Sequence, residues 1–154
     1  MLFILTTTYY FSKWSEGVPL KNAKDEQVIN FLQDTIFSRF WQHVSIVSDN
    51  GPAFISAKFL KFCVDLNIKH SLSSSYYPQG NGLVESTNKQ LIKILKKIIA
   101  NKTRQWHLYL TYALWAYMIT AKSSIGTTPF QLLFGQQAVF PIELQLASFR
   151  LAFQ

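Results

Sequence analysis

The chain has 154 residues, 49% of them hydrophobic and 16% aromatic, with fifteen basic against eight acidic residues for a formal charge of +7. That size and apolar content fit one domain with a buried core and argue against disorder. The single cysteine, Cys63, excludes an internal disulfide framework and a cysteine-rich zinc site. The positive charge points to a polyanionic partner, with nucleic acid first and an acidic membrane surface second.

In chain order, residues 2–9 are apolar, β-branched and aromatic, which predicts a strand. Its apolar start is short and lacks a basic leader, so it reads as a strand and not as a signal peptide. Because the sequence opens almost inside this strand, an N-terminal portion is expected to be missing. Residues 17–20 predict a second short strand. From 23 to 40, Val28, Ile29, Leu32, Ile36, Phe37 and Phe40 recur at helical spacing. Val44-Ser45-Ile46-Val47 predicts a buried strand, broken by Asp49-Asn50-Gly51-Pro52. A helix over 56–66 and a strand over 68–72 follow, with Cys63 as a buried thiol in the helix. Residues 73–82 are rich in Ser, Gly, Pro and Asn and predict a loop. Two helices are expected over 83–99 and 104–121, the second carrying Trp106, Leu110, Leu114 and Tyr117. Thr127-Thr128-Pro129-Phe130 opens a last short helix, with Pro near its first turn. Strands alternating with helices, then a helical block, make an α/β domain over 1–135 with a tail over 136–154. No apolar stretch approaches the ~20 residues a bilayer crossing needs.

Two carboxylates stand out, Asp49 at a strand end and Glu85 at the start of the long helix, with thirty-five residues between them. Each has an ordinary explanation. An Asp before Asn-Gly is a turn residue. A Glu in a helix's first turn suits the macrodipole, and Glu85 with Lys89 can form a surface pair. Together they suit phosphodiester chemistry, in which two divalent ions ~4 Å apart activate the attacking oxygen and stabilise the leaving one. Magnesium takes hard oxygen ligands, so carboxylates from separate elements must converge. On the long helix Lys89, Lys93 and Lys96 extend the face of Glu85, with Lys97 beside it. Leu83, Leu91, Leu95 and Ile98 form the face expected to pack inward. The lysines form a basic stripe able to hold phosphates, or else a merely solvated face.

The words around these residues carry a resemblance. Ile46-Val47-Ser48-Asp49-Asn50-Gly51-Pro52-Ala53-Phe54 with Phe59, and Tyr76-Tyr77-Pro78-Gln79-Gly80-Asn81-Gly82-Leu83-Val84-Glu85 with Asn88-Lys89, are similar to the second-aspartate and glutamate segments of integrase catalytic cores. Trp106, Leu114-Trp115-Ala116-Tyr117 and the run from Gly126 through Thr128-Pro129-Phe130 to Gly135 resemble the tail of gypsy-type LTR retrotransposon integrases, part of a Pol polyprotein. Tyr10-Phe11-Ser12-Lys13-Trp14 resembles the segment that follows the first catalytic aspartate. The resemblance covers nearly the whole chain.

It implies an RNase H-like fold with a central mixed five-stranded sheet flanked by helices. It implies DNA integration by polynucleotidyl strand transfer with Mg²⁺ or Mn²⁺, with Asp49 and Glu85 as catalytic and metal-binding residues. It places DNA contacts at Lys89, Asn88, Asn81 and Tyr76, which the stripe extends to Lys93. It implies DNA as partner (element ends and target), a homodimer through the core, and a nuclear or virus-like-particle setting. Relatives carry a zinc-binding domain before the core and a DNA- or chromatin-binding domain after it, and neither is matched here. Two departures stand out. Tyr9 occupies the position where the resemblance expects the first aspartate, and Trp41-Gln42-His43 replaces an expected Gly and Pro. The expectation is a catalytically impaired copy; the alternative is a non-catalytic nucleic-acid-binding and dimerisation module, or a retrotransposon relic.

Overall fold

The first strand, β1 (Phe3–Thr8), turns through residues 9–14 into β2 (Ser15–Leu20). The two pair antiparallel, with Phe3 opposite Leu20 and Thr8 opposite Ser15. The corner is fixed by its backbone: Tyr9 N donates to Trp14 O (2.9 Å) and Lys13 N to Tyr9 O (3.0 Å), with Lys13 at φ +58°. This computed structural model describes residues 3–39, 45–73, 78–99 and 105–139, with side chains from residue 82 onward in the third stretch.

Helix α1 (Asp25–Phe31) continues as a π-helical stretch, Leu32–Phe37. Val28, Ile29, Phe31, Leu32, Ile36 and Phe37 are buried, as the helical spacing predicts. Phe40 and the Trp41-Gln42-His43 departure lie outside the described residues. β3 (Ser45–Ser48) then leads through a turn to α2 (Ala57–Asp65). The Ser56 side chain caps α2 by accepting from Phe59 N at 3.1 Å, which satisfies one of the donors a helix start leaves open. β4 (Lys69–Leu72) pairs parallel with β3, Ser45 opposite Lys69 and Ser48 opposite Leu72.

The long helix α3 runs from Pro78 to Ile99, so residues 78–82, expected as loop, are its first turns. Pro78 explains the early start: its fixed φ suits the first helical position and its missing N–H is not needed there. Glu85 therefore lies about two turns inside the helix. α4 (Trp106–Met118) packs against α3, and α5 (Pro129–Phe134) is capped by Thr128 and stopped by Gly135 at φ +71°.

The five-stranded sheet expected from the resemblance is not what the structure shows. Four strands form two separate pairs, β1–β2 and β3–β4, with no ladder joining them among the described residues. The pairs nevertheless share their covering layers. Leu5 of β1, Val18 of β2 and Ile46 of β3 all pack on the core built by α1, its π-helical extension and α2. On the opposite side Leu91, Leu95, Ile99, Leu110, Leu114 and Tyr117 build a second core from α3 and α4, on which Ile4 and Trp14 rest. Ile99, not Ile98, completes the inward face of α3, since Ile98 is 37% exposed.

Candidate metal and nucleic-acid site

Asp49 leaves the end of β3 at the surface, and the backbone before it is held from below. Ser48 is buried; its Oγ donates to Asp49 O (3.0 Å) and lies 2.9 Å from His70 Nε2 on the adjoining strand. The parallel register places Ile46 opposite His70, which brings His70 beneath the strand end. His70 stands edge-on to Phe59 with centroids 5.2 Å apart, and burial pushes its imidazole below the usual histidine range. Ahead of Asp49 the chain turns: Asp49 Oδ1 accepts from Gly51 N at 2.9 Å. A Cβ at position 51 would lie 2.9 Å from that same carboxylate oxygen, so a larger residue there would push the Asp49 side chain aside.

Glu85 is exposed on α3. One turn further, Asn88 accepts a hydrogen bond from Thr6 Oγ1 (2.8 Å), tying α3 to β1. Deeper on that face Thr87 and Tyr117 share a buried hydrogen bond of 3.2 Å. Lys89, Lys93, Lys96 and Lys97 are exposed and, with Ile92, line a shallow groove along α3. Asn81 falls within α3, while Tyr76 lies outside the described residues.

Tyr9 has a different setting. It lies past the end of β1 and touches both cores. Burial, and then the charge of Glu16, raise its phenol above the ordinary tyrosine range, with Arg39 opposing. Arg39 and Glu16 form an ion pair at 2.9 Å. A phenol held neutral is no hard anionic ligand. Among the described residues no group of three His, Cys, Asp or Glu side chains comes together as a metal site. Two exposed carboxylates alone do not fit a two-ion centre.

The residues that sequence reasoning missed are His70 and Ser48. His70 read as an isolated histidine, and only the β3–β4 register reveals its role. Lys122 is another: it sits 3.7 Å over the Tyr117 ring, donates to Gln90 Oε1 (2.9 Å), and is shifted down by burial.

A family model described as an integrase core domain matches residues 2–78, half of the chain. The chain belongs to the integrase core family. It is 34% identical over 133 residues to the Gag-Pol polyprotein of avian reticuloendotheliosis virus, a match that covers 86% of this chain and 12% of that protein. It is 34% identical over 134 residues to the Pol polyprotein of radiation murine leukemia virus (strain Kaplan), covering 86% of the chain and 23% of the relative. This integrase core chain thus spans under a quarter of the length of either polyprotein. Its fold resembles that of a chain in the simian T-cell lymphotropic virus intasome bound to PP2A regulatory subunit B56 gamma, with TM-score 0.70 and 24% identity over 91% of this chain and 57% of that one. It also resembles the HTLV-2 integrase catalytic core domain, solved with magnesium in a dimeric form, with TM-score 0.65 and 29% identity over 83% and 81% of the two chains. These likenesses place the chain with RNase H-like integrase cores, although its own strands form two small sheets.

Proposed function

We propose that this chain is an integrase core segment that binds DNA along α3 and does not carry out strand transfer by itself. The observation that carries this reading is the donor set. Asp49 and Glu85 are surface carboxylates with no third His, Cys, Asp or Glu gathered to them among the described residues. Tyr9 does not substitute, because its phenol is held neutral by burial and by Glu16. The basic groove of Lys89, Lys93, Lys96 and Lys97 supports the DNA part, since phosphate contacts position a duplex without reading its bases.

The test is a strand-transfer assay with Mg²⁺ and then Mn²⁺ on the native chain, on Tyr9→Asp and on Asp49→Asn. All three are expected to be inactive while a DNA duplex still binds. Joining by the native chain that Asp49→Asn abolishes would overturn the reading. Activity gained only in Tyr9→Asp would return the first-ligand position to residue 9.

A further inference from the structure

The corner between β1 and β2 is anchored from inside. Ser12 and Trp14 are buried, and the Ser12 hydroxyl accepts from Trp14 N at 3.3 Å. Trp14 sits in the α3–α4 core, with its Nε1 donating to Glu16 Oε1 at 2.9 Å. Lys13 stands in the left-handed region at φ +58°, which a lysine keeps only where its surroundings fix it. On this base the corner turns two aromatic side chains outward. Tyr10 is 74% and Phe11 81% exposed, and among the described residues no large hydrophobic side chain is more exposed than Phe11. Lys13 accompanies them: its Nζ donates to Tyr10 O (2.6 Å) and stands 4.6 Å from the centre of the Tyr10 ring. None of the three belongs to either hydrophobic core.

Exposed rings beside a cation match the chemistry of an unpaired nucleotide. Every base has a π-face on which an aromatic ring can stack, and the phosphate next to it takes an ammonium. A duplex keeps those faces inside its own stack, so only unpaired nucleotides offer them. Charge selects this occupant over an acceptor for apolar side chains alone. Residues 3–15 include Lys13 and no Asp or Glu, and the chain carries +7. The next acidic residue, Glu16, is engaged by Arg39 and Trp14. We propose that the β1–β2 corner is a docking point for unpaired DNA, with Tyr10 and Phe11 stacking on bases and Lys13 leaving the Tyr10 ring to meet a phosphate. The corner lies on a different element from the α3 groove, and the inference does not depend on duplex binding there.

The test uses the full chain and two labelled ligands, a blunt DNA duplex and a single oligothymidine strand carrying one aminopurine, a base whose emission is quenched by stacking. Binding is read by anisotropy across a salt series. The native chain is expected to bind the single strand and quench the aminopurine. Tyr10→Ala with Phe11→Ala should weaken single-strand binding about tenfold or more, abolish the quenching and leave duplex binding within about twofold of native. Phe11→Ala alone gives the same readout if the double variant unfolds early. Exchanging the rings, Tyr10→Phe with Phe11→Tyr, should retain binding and quenching. Lys13→Gln should retain the quenching and lower the single-strand salt slope by about one contact. Absence of single-strand binding or quenching in the native chain would overturn the proposal. So would binding that survives the alanine variant, or equal losses for duplex and single strand. A native dimer that the alanine variant turns into monomer in sedimentation would assign the rings to a second copy and equally overturn it. A single strand that binds and quenches while the duplex fails to bind would overturn the α3 reading and leave this one standing.

Discussion

His70 shows how one residue serves a site that it does not touch. Its Nε2 meets Ser48, whose hydroxyl holds the carbonyl of Asp49. Burial lowers the imidazole's pKa in the folded chain. The unfolded chain therefore takes up a proton at a higher pH than the folded one. The stability tied to neutral His70 is fully present above the unfolded value of about 6.5 and is lost as pH falls toward the folded pKa. His70→Phe is expected to flatten the acid side of a thermal-unfolding profile measured between about pH 5 and 8; an unchanged profile would show that His70 does not contribute to it. Ser48→Ala leaves the imidazole without this hydroxyl and should cost about 1–3 kcal/mol in urea unfolding. Tyr9 teaches the opposite lesson. Its aromatic ring fills the corner between two cores, so the residue that replaces an expected carboxylate has a packing role of its own.

Helix α3 presents two faces of different chemistry. Leu91 is 1% exposed and Leu95 5% exposed, and Leu91→Ala is expected to cost about 2–5 kcal/mol by denaturant titration, because the cavity would lie at the centre of the α3–α4 core. The outer face carries the lysines. Lys89→Glu should weaken binding of a DNA duplex and lower the steepness of its salt dependence by about one phosphate contact. Fluorescence anisotropy across a salt series decides this, and an unaltered slope would mean that the stripe is only solvated. The helical period made both faces legible in advance. The early start at Pro78 was not legible, because two glycines and an asparagine in its first turns are poor helix formers and look like a loop.

At the scale of the molecule, the α4 surface and the split sheet matter most. Leu108 is 59% exposed and Tyr112 65% exposed, four residues apart on one face of α4. An exposed apolar pair of this kind suits the homodimer that the resemblance implies. Sedimentation of the native chain and of Leu108→Glu tests this: a dimer that the substitution turns into monomer would place the contact on α4, and a species unaffected by it would place any dimer contact elsewhere. Among the described residues no helix is long and apolar enough to cross a membrane. The sequence by itself determined the alternation of strands and helices, the basic face of α3 and the family, through the residues around Asp49 and Glu85. The first two are local properties, written in spacing and turn chemistry, and the family is carried by the resemblance of those motifs. Only the tertiary structure decided that the four strands among the described residues form two pairs, that Tyr9 wedges between two cores, and that His70 supports the strand end beneath Asp49. Each depends on which backbone lies beside which across tens of residues, and hydrophobic period alone does not specify that choice.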